Sequence, residues 1–193
     1  DWNFLPISSL RGTRLVFLFD EVLKTFFILP YTAEPSGYRP EGFSELFAVP
    51  EILLGSPEAK EFFTATKGVG LITHDLKAFL KRAPHAASWG TFFDCELAWF
   101  IADPGRRDYS LIKLASWFLQ KDAADFSTGD LLALLPRIAD RLRDDLEKNK
   151  LTRIFEEFEM PLPPILAAID RWGIGIDTAY LAKLSQKTGS EIA

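Results

Sequence analysis

The first ninety residues alternate short apolar runs with polar or proline-rich stretches. Residues 14–19 and 24–29 are almost continuously apolar, and short runs rich in aromatic residues favour strands that are covered on both faces. The four residues between these runs are few enough for a hairpin. Residues 69–73 predict a third strand, and a helix over 75–82 follows it directly. A strand that leads into a helix is the repeating unit of α/β sheets, so the pattern predicts an α/β fold.

The segment between the second and third predicted strands is rich in proline and glycine. Residues 30–55 therefore predict a long surface connection, with one helical turn near residues 43–47. Ser56 followed by Pro57 is typical of a helix N-terminus, because proline is favoured at the first helical position. We expect this helix to extend over residues 56–63.

After Phe93 the apolar residues recur at three- and four-residue spacing, which predicts helices. Asp94 is placed to cap the first of them, and Asp103-Pro104-Gly105 to end it. Pro136 should bend the longest helix or mark its true start. The predicted helices cover residues 94–102, 110–119, 131–150, 161–172 and 178 onward.

Composition indicates a packed globular domain. Apolar residues make up 48% of the 193 residues and charged residues 25%, and the chain contains 17 Phe and 5 Trp. Each aromatic side chain can bury a large apolar area, which excludes a disordered chain. The length suits one sizeable domain with a short appendage. The last helical pattern runs to the final residue, so we expect a piece of a longer protein.

Charge and cysteine content exclude several classes of function. The formal net charge is −5, whereas modules that bind nucleic acid by themselves usually present a basic surface. The single cysteine, Cys95, excludes an internal disulfide and a paired-cysteine metal site. No apolar run approaches the roughly 20 residues that span a bilayer. We therefore expect a soluble, cytoplasmic monomer without membrane contact.

Few residues are candidates for chemistry. His74 and His85 are the two histidines; a zinc site needs three or four converging ligands, so we interpret them as surface or loop residues. Asp20 and Glu21 form the acidic pair at the end of a strand-like run. Adjacent strand residues point to opposite faces, so this pair is better interpreted as part of a hairpin turn than as one metal site.

The second half of the chain resembles a known family. Residues 93–106 read FDCELAWFIADPGR, residues 155–166 read FEEFEMPLPPIL, and residues 169–177 read IDRWGIGID. The first segment resembles the FDTxLAxYLLDPGR helix and turn of bacterial DNA polymerase I (family A). The other two resemble the stretch that leads from its 3′–5′ exonuclease domain into its polymerase domain. The resemblance covers residues 92–193, with weaker similarity back to residue 71.

This resemblance implies a fold and a division into domains. The exonuclease domain of the family has an RNase-H-like (DnaQ-like) fold, in which a mixed sheet is flanked by helices. Residues 1–150 would form that domain. Residues 151–193 would be the connecting helices and the start of the polymerase domain. Active members resemble other two-metal phosphodiesterases and use four carboxylates from three motifs.

The three motifs can be sought in this chain one by one. No D-x-E occurs in the N-terminal region, and the strand at 15–19 resembles the second strand of the family, so the first would be lost or lie before Asp1. The N-L-K-Y-D motif aligns with residues 74–79, which places its metal-binding aspartate on Phe79 and its asparagine on Asp75. The Y-x-x-x-D-A-D motif aligns with residues 134–140, which places the aspartate on Ile138.

These replacements predict a domain without exonuclease activity. Neither Phe79 nor Ile138 can ligate Mg²⁺, which demands oxygen ligands. The leading hypothesis is therefore a structural spacer within a template-directed DNA polymerase. We expect no cofactor or metal in this fragment, Mg²⁺ in the parent polymerase, and contact with DNA only through that parent.

Two alternatives remain open from the sequence. In the first, the domain is an active Mg²⁺-dependent proofreading exonuclease whose acids are misaligned; it would then have to recruit Asp20, Glu21, Asp75 and Asp94. In the second, the chain is a partner-docking module of a replication or repair complex that uses the loop at residues 31–50.

Overall fold

A computed structural model describes residues 14–20, 25–31, 47–50, 56–57, 61, 64, 70–88, 91–123 and 125–192. The strands are β1 (Arg14–Asp20), β2 (Thr25–Tyr31), β3 (Phe47–Pro50), β4 (Gly70–Thr73) and β5 (Thr91–Asp94). The helices with defined bounds are α1 (Leu76–Arg82), α2 (Cys95–Ala102), α3 (Leu111–Leu119), α4 (Thr128–Lys148), α5 (Leu162–Trp172) and α6 (Thr178–Ile192). A 3₁₀ turn covers Pro84–Ser88, and a π-helical turn covers Ile154–Glu159.

The strands form one mixed sheet in the order β3-β2-β1-β4-β5. β1 pairs antiparallel with β2, and β2 pairs antiparallel with β3. β4 runs parallel to β1, and β5 runs parallel to β4. The predicted α/β class and mixed sheet are therefore confirmed, and so is the antiparallel pairing of the first two apolar runs.

Two strands were missed by the sequence interpretation. β3 lies within residues 30–55, which were predicted to be a surface connection; it is a short edge strand that ends in Pro50, a residue that sheets tolerate at their edges. β5 has four residues and continues into α2 without an intervening turn. Such a strand leaves no separate signal in the apolar pattern. The remainder of the proposed docking loop, residues 32–46, lies outside the described part of the chain.

The helix predictions are mostly confirmed. Asp94 caps α2, Ser110 precedes α3, and Gly173 ends α5 with a φ of 68°. The longest helix, α4, was predicted to start at residue 131 but begins at Thr128, because Ser127 and Asp130 form a reciprocal capping box there. Pro136 lies inside α4 and does not mark its start. Of the predicted helix at 56–63, positions 57 and 61 are helical, and most of the remainder lies outside the described residues.

β1 lies at the centre of the sheet, with β2 on one edge and β4 on the other. Both edges of this strand are therefore occupied, and no place beside it is left for a lost strand. The expectation that β1 corresponds to the second strand of the family, with the first lost or before Asp1, stays a prediction. The sequence of β1 is RLVFLFD and contains no D-x-E.

Helices cover both faces of the sheet. Val16, Ile72 and Phe93 share one apolar core with α2, α3 and α4. Neighbouring strand residues point to the opposite face, and there Phe92 lies 6.1 Å from Phe79 of α1, measured between ring centroids. α5 packs on α1 at this second face. Within the described residues, no helix is long and apolar enough to cross a membrane.

Candidate functional site

The carboxyl ends of the parallel strands define the candidate site. Phe17 of β1, Thr73 of β4 and Asp94 of β5 form one row across the sheet. β4 ends there and leads into α1, while β5 ends there and leads into α2. The connections after β4 and β5 therefore place Asp75 and Asp94 next to each other, although they are 19 residues apart in the chain.

The Asp94 carboxylate is a buried acceptor for two helix N-termini. Its side chain accepts N–H bonds from Glu96 and Leu97 at 3.0 and 3.4 Å, which caps α2. It also accepts the N–H groups of Asp75 and Leu76 at 3.2 and 2.8 Å, which satisfies the start of α1. The residue is only 4% exposed. One side chain thus joins the two connections that follow β4 and β5.

Burial raises the pKa of the Asp94 carboxyl above its ordinary value. The neighbouring His74 and the N–H donors of Leu76 and Leu97 lower the pKa and so oppose this effect. Asp75 adds a further, smaller rise through like-charge repulsion. The Asp94 carboxylate accepts four backbone N–H groups, so these contacts serve to stabilise the two helix starts.

Asp75 also uses its carboxylate for helix capping. It has a φ of 57° in the left-handed region, and its Oδ1 atom accepts the N–H of Ala78 at 2.9 Å. Aspartate tolerates this conformation better than most residues, because its short side chain can bond to the backbone nearby. The two acids that the structure brings together therefore each stabilise a helix start.

Asp20 lies further along β1 than the strand position that pairs with the row of Thr73 and Asp94. Asp20 is the last residue of β1 and pairs with Thr25 of β2, so it belongs to a strand and not to the predicted turn; its side chain lies outside the described part of the chain. It is three residues beyond Phe17 in β1, or about 10 Å further along the strand direction than the row that contains Asp94. Glu21 lies outside the described residues.

Phe79 and Ile138, the two positions aligned with lost metal ligands, are not brought together. Phe79 is 4% exposed and packs beside Phe92 on the α1 face of the sheet. Ile138 is fully buried in the core on the α4 face, in the same apolar cluster as Phe93. The sheet itself separates the two side chains. Each is a core residue of a different layer.

The sequence interpretation did not name Glu96 as a residue of this site, and it did not predict that His74 would be largely buried. The His74 side chain is only 10% exposed; its Nε2 atom lies 2.9 Å from the Tyr109 carbonyl, and its Nδ1 atom lies 3.9 Å from Glu96 Oε2. His74 thus ties the loop after α2 to the end of β4, a structural role that its loop position alone does not reveal. The side chain of His85 lies outside the described part.

Glu96 is a partly exposed acid in this region whose pKa lies far above its ordinary value. Partial burial raises its pKa to about 7, and the nearby carboxylates of Asp75, Asp94 and Asp108 contribute to the rise. An acid with such a pKa carries a proton for part of the time at neutral pH. A perturbed pKa can indicate a functional site, but here crowding of like charges and burial are sufficient causes.

A cleft of about 250 Å³ opens beside these acids, between α2 and α5. Its acidic lining includes Asp75 and Glu96, and its apolar lining includes Phe100, Leu162 and Leu166. Among the described residues, no group of three or more His, Cys, Asp or Glu side chains is placed to hold a metal ion. The described carboxylates of this region cap helices and do not form a two-metal centre.

Comparisons with known proteins relate the chain to DNA polymerases. No protein-family model matches it. It is similar to the DNA polymerase I of Bacillus subtilis (strain 168), with 26% identity over an alignment of 138 positions that covers 58% of this chain. The chain spans only 16% of the length of that relative.

A solved structure has the same fold. It is described as the POL domain of Pol1 from M. smegmatis in complex with DNA primer-template and dNTP. The TM-score is 0.67 at 18% sequence identity, and the match covers 93% of this chain and 32% of the other. At this identity the likeness shows a shared fold. Together with the sequence match, it relates this chain to one region of a bacterial DNA polymerase I.

Proposed function

We propose that this chain is the exonuclease-fold region of a type I DNA polymerase, that it has lost its metal-binding carboxylates, and that it acts as a structural spacer. Residues 1–150 would form the RNase-H-like domain, and residues 151–193 the connection to the polymerase domain. The mixed sheet with helices on both faces supports the first part. The match to Bacillus subtilis DNA polymerase I supports a parent that copies DNA.

The lack of exonuclease activity is supported by how the candidate residues are used. The carboxylates of Asp75 and Asp94 accept backbone N–H groups at helix starts. Phe79 and Ile138 are buried apolar residues and offer no oxygen atom to a metal ion. An active enzyme of this chemistry holds two metal ions about 4 Å apart with clustered carboxylates. The geometry of the described acids favours the spacer over the active exonuclease.

The observation that carries the spacer role is the orientation of α5. Its apolar stripe faces away from its own domain: Ile165 and Ile169 are 55% and 54% exposed, and Trp172 is 90% exposed. The buried positions of the same helix are Pro163 and Ala167, which lie on the side towards α1. An amphipathic helix normally buries its apolar stripe. Here that stripe is exposed and would be available to pack against another domain.

The following helix, α6, also exposes its apolar residues. None of the residues of α6 is buried, and Tyr180, Leu181 and Leu184 are all exposed. Large contiguous apolar patches on a protein surface usually mark an interface. We assign the rest of the same polymerase chain as the body that covers α5 and α6, because the polymerase I relative is much longer than this chain. The spacer would hold the polymerase domain by this surface.

Substitutions on the outward stripe test this role. The double change Ile165→Gln with Ile169→Gln should alter the unfolding free energy of the isolated chain by no more than about 0.5 kcal/mol, because both side chains are exposed there. In a longer polymerase that contains this region, the same change should cost about 2–4 kcal/mol, since two buried isoleucines would be lost. Urea unfolding followed by circular dichroism measures both.

The matched control is Asp144→Gln with Glu147→Gln on the exposed side of α4. This pair should have little effect in either protein. If the α5 variant unfolds like the control in the longer polymerase, the apolar stripe is not the surface on which the polymerase domain rests, and the spacer proposal fails.

A further inference from the structure

Polar contacts join α5 to α1 near the C-terminus of α5. The Asp170 Oδ2 atom lies 3.0 Å from Lys77 Nζ and 3.1 Å from Lys81 Nζ. The two lysines are four residues apart on α1, so they occupy neighbouring positions on one face of that helix. A single carboxylate oxygen therefore bridges successive turns of α1.

The next residue adds a second contact at the end of α1. Arg171 Nη1 donates a hydrogen bond to the Leu80 carbonyl at 3.0 Å. Carbonyl groups in the last turn of a helix lack an intrahelical partner and carry partial negative charge, so a guanidinium group is favoured there. Asp170 thus contacts the side of α1, and Arg171 contacts its C-terminal turn.

Apolar packing between α1 and α5 is thin by comparison. The fully or nearly buried residues of α5 are Pro163 and Ala167, two small side chains. Small residues let helices approach closely, but they bury little apolar area and allow sliding or rotation at low cost. The polar contacts near the C-terminus of α5 add directional contacts to this packing.

We propose that Asp170 is the positioning residue of an electrostatic latch, formed with Lys77, Lys81 and Arg171, which fixes the orientation of α5 on α1. The latch keeps the side with Ala167 against the domain and turns the stripe with Ile165 outward. Its importance for holding a polymerase domain rests on the proposed function, but the latch itself belongs to this chain alone.

Hydrogen exchange of the 193-residue chain, followed by mass spectrometry, tests the latch. Asp170→Asn should speed exchange in residues 162–172 by roughly three- to tenfold, because both ion pairs are lost together. Exchange in α4 should be unchanged and serves as the internal reference. Raising the salt concentration from about 0.05 M to about 0.5 M should produce a similar change in the wild-type chain and little further change in the variant.

Two further variants separate a latch from an ordinary surface ion pair. Asp145→Asn removes a comparable pair with Arg141, which lies within α4 and joins no two elements; it should leave exchange in α5 unchanged. Reversing the charges with Asp170→Lys, Lys77→Glu and Lys81→Glu should restore the protection of α5. Unchanged α5 exchange in Asp170→Asn, or no rescue by the reversed set, would overturn the proposal, whereas loss of the spacer role would leave these results as they are.

Discussion

Replacing Asp94 with alanine is expected to lower the free energy of unfolding by about 3 kcal/mol. Loss of the cap of α2 accounts for about 1 kcal/mol of this. The N–H groups of Asp75 and Leu76 also lose their acceptor, and a buried donor left without a partner costs roughly 1–3 kcal/mol. Removing a buried charge recovers part of the cost. Urea unfolding followed by tryptophan fluorescence measures the change.

Two other variants make this prediction specific. Asp94→Asn keeps one acceptor oxygen, so it should cost about half as much as the alanine variant. Asp144→Ala removes an exposed aspartate from the C-terminal part of α4 and should change stability by less than about 0.5 kcal/mol. An alanine variant of Asp94 that is as stable as the Asp144 variant would contradict the role of this carboxylate in joining α1 and α2.

Placing an aspartate at Ile138 is expected to destabilise the chain by about 4 kcal/mol or more. Ile138 is fully buried in the apolar cluster between α4 and the sheet. An ionised carboxylate there would have no partner, so the new aspartate would be forced into its neutral, protonated form. Ile138→Val removes one methylene group and should cost only about 1 kcal/mol. Thermal or urea unfolding of the two variants measures the difference.

The same position also tests whether a metal site can be restored. In the double variant Phe79→Asp with Ile138→Asp, the two acids would lie on opposite faces of the sheet. About 10 mM Mg²⁺ should therefore not raise the urea midpoint of this variant, since a ligand stabilises only a fold that binds it. A clear rise with Mg²⁺, absent from either single variant, would show that the two positions can share a metal ion.

Local signals in the sequence were sufficient for much of the fold. Asp94 and Ser110 are favoured helix caps, and both precede helices at the expected places. The apolar runs gave β1, β2 and β4, because strands covered on both faces are continuously apolar. These features depend on neighbours within a few residues, so a single chain displays them.

Features that depend on distant neighbours could not be predicted in this way. β5 has four residues and no turn before α2, so only its pairing with β4 identifies it as a strand. The second task of Asp94, at the start of α1, arises because two connections meet at one edge of the sheet. The opposite placement of Phe79 and Ile138 follows from which face each helix covers, and an alignment of motifs carries no such information.

The most direct measurement of the central claim is degradation of 3′-labelled single-stranded DNA by this purified chain with Mg²⁺ or Mn²⁺. A mock preparation and an EDTA control would be assayed alongside. The spacer account predicts no shortening above the mock preparation, because the described carboxylates form no two-metal site. Metal-dependent shortening that is abolished by Asp20→Ala or Asp75→Ala would contradict it and would show that the domain proofreads.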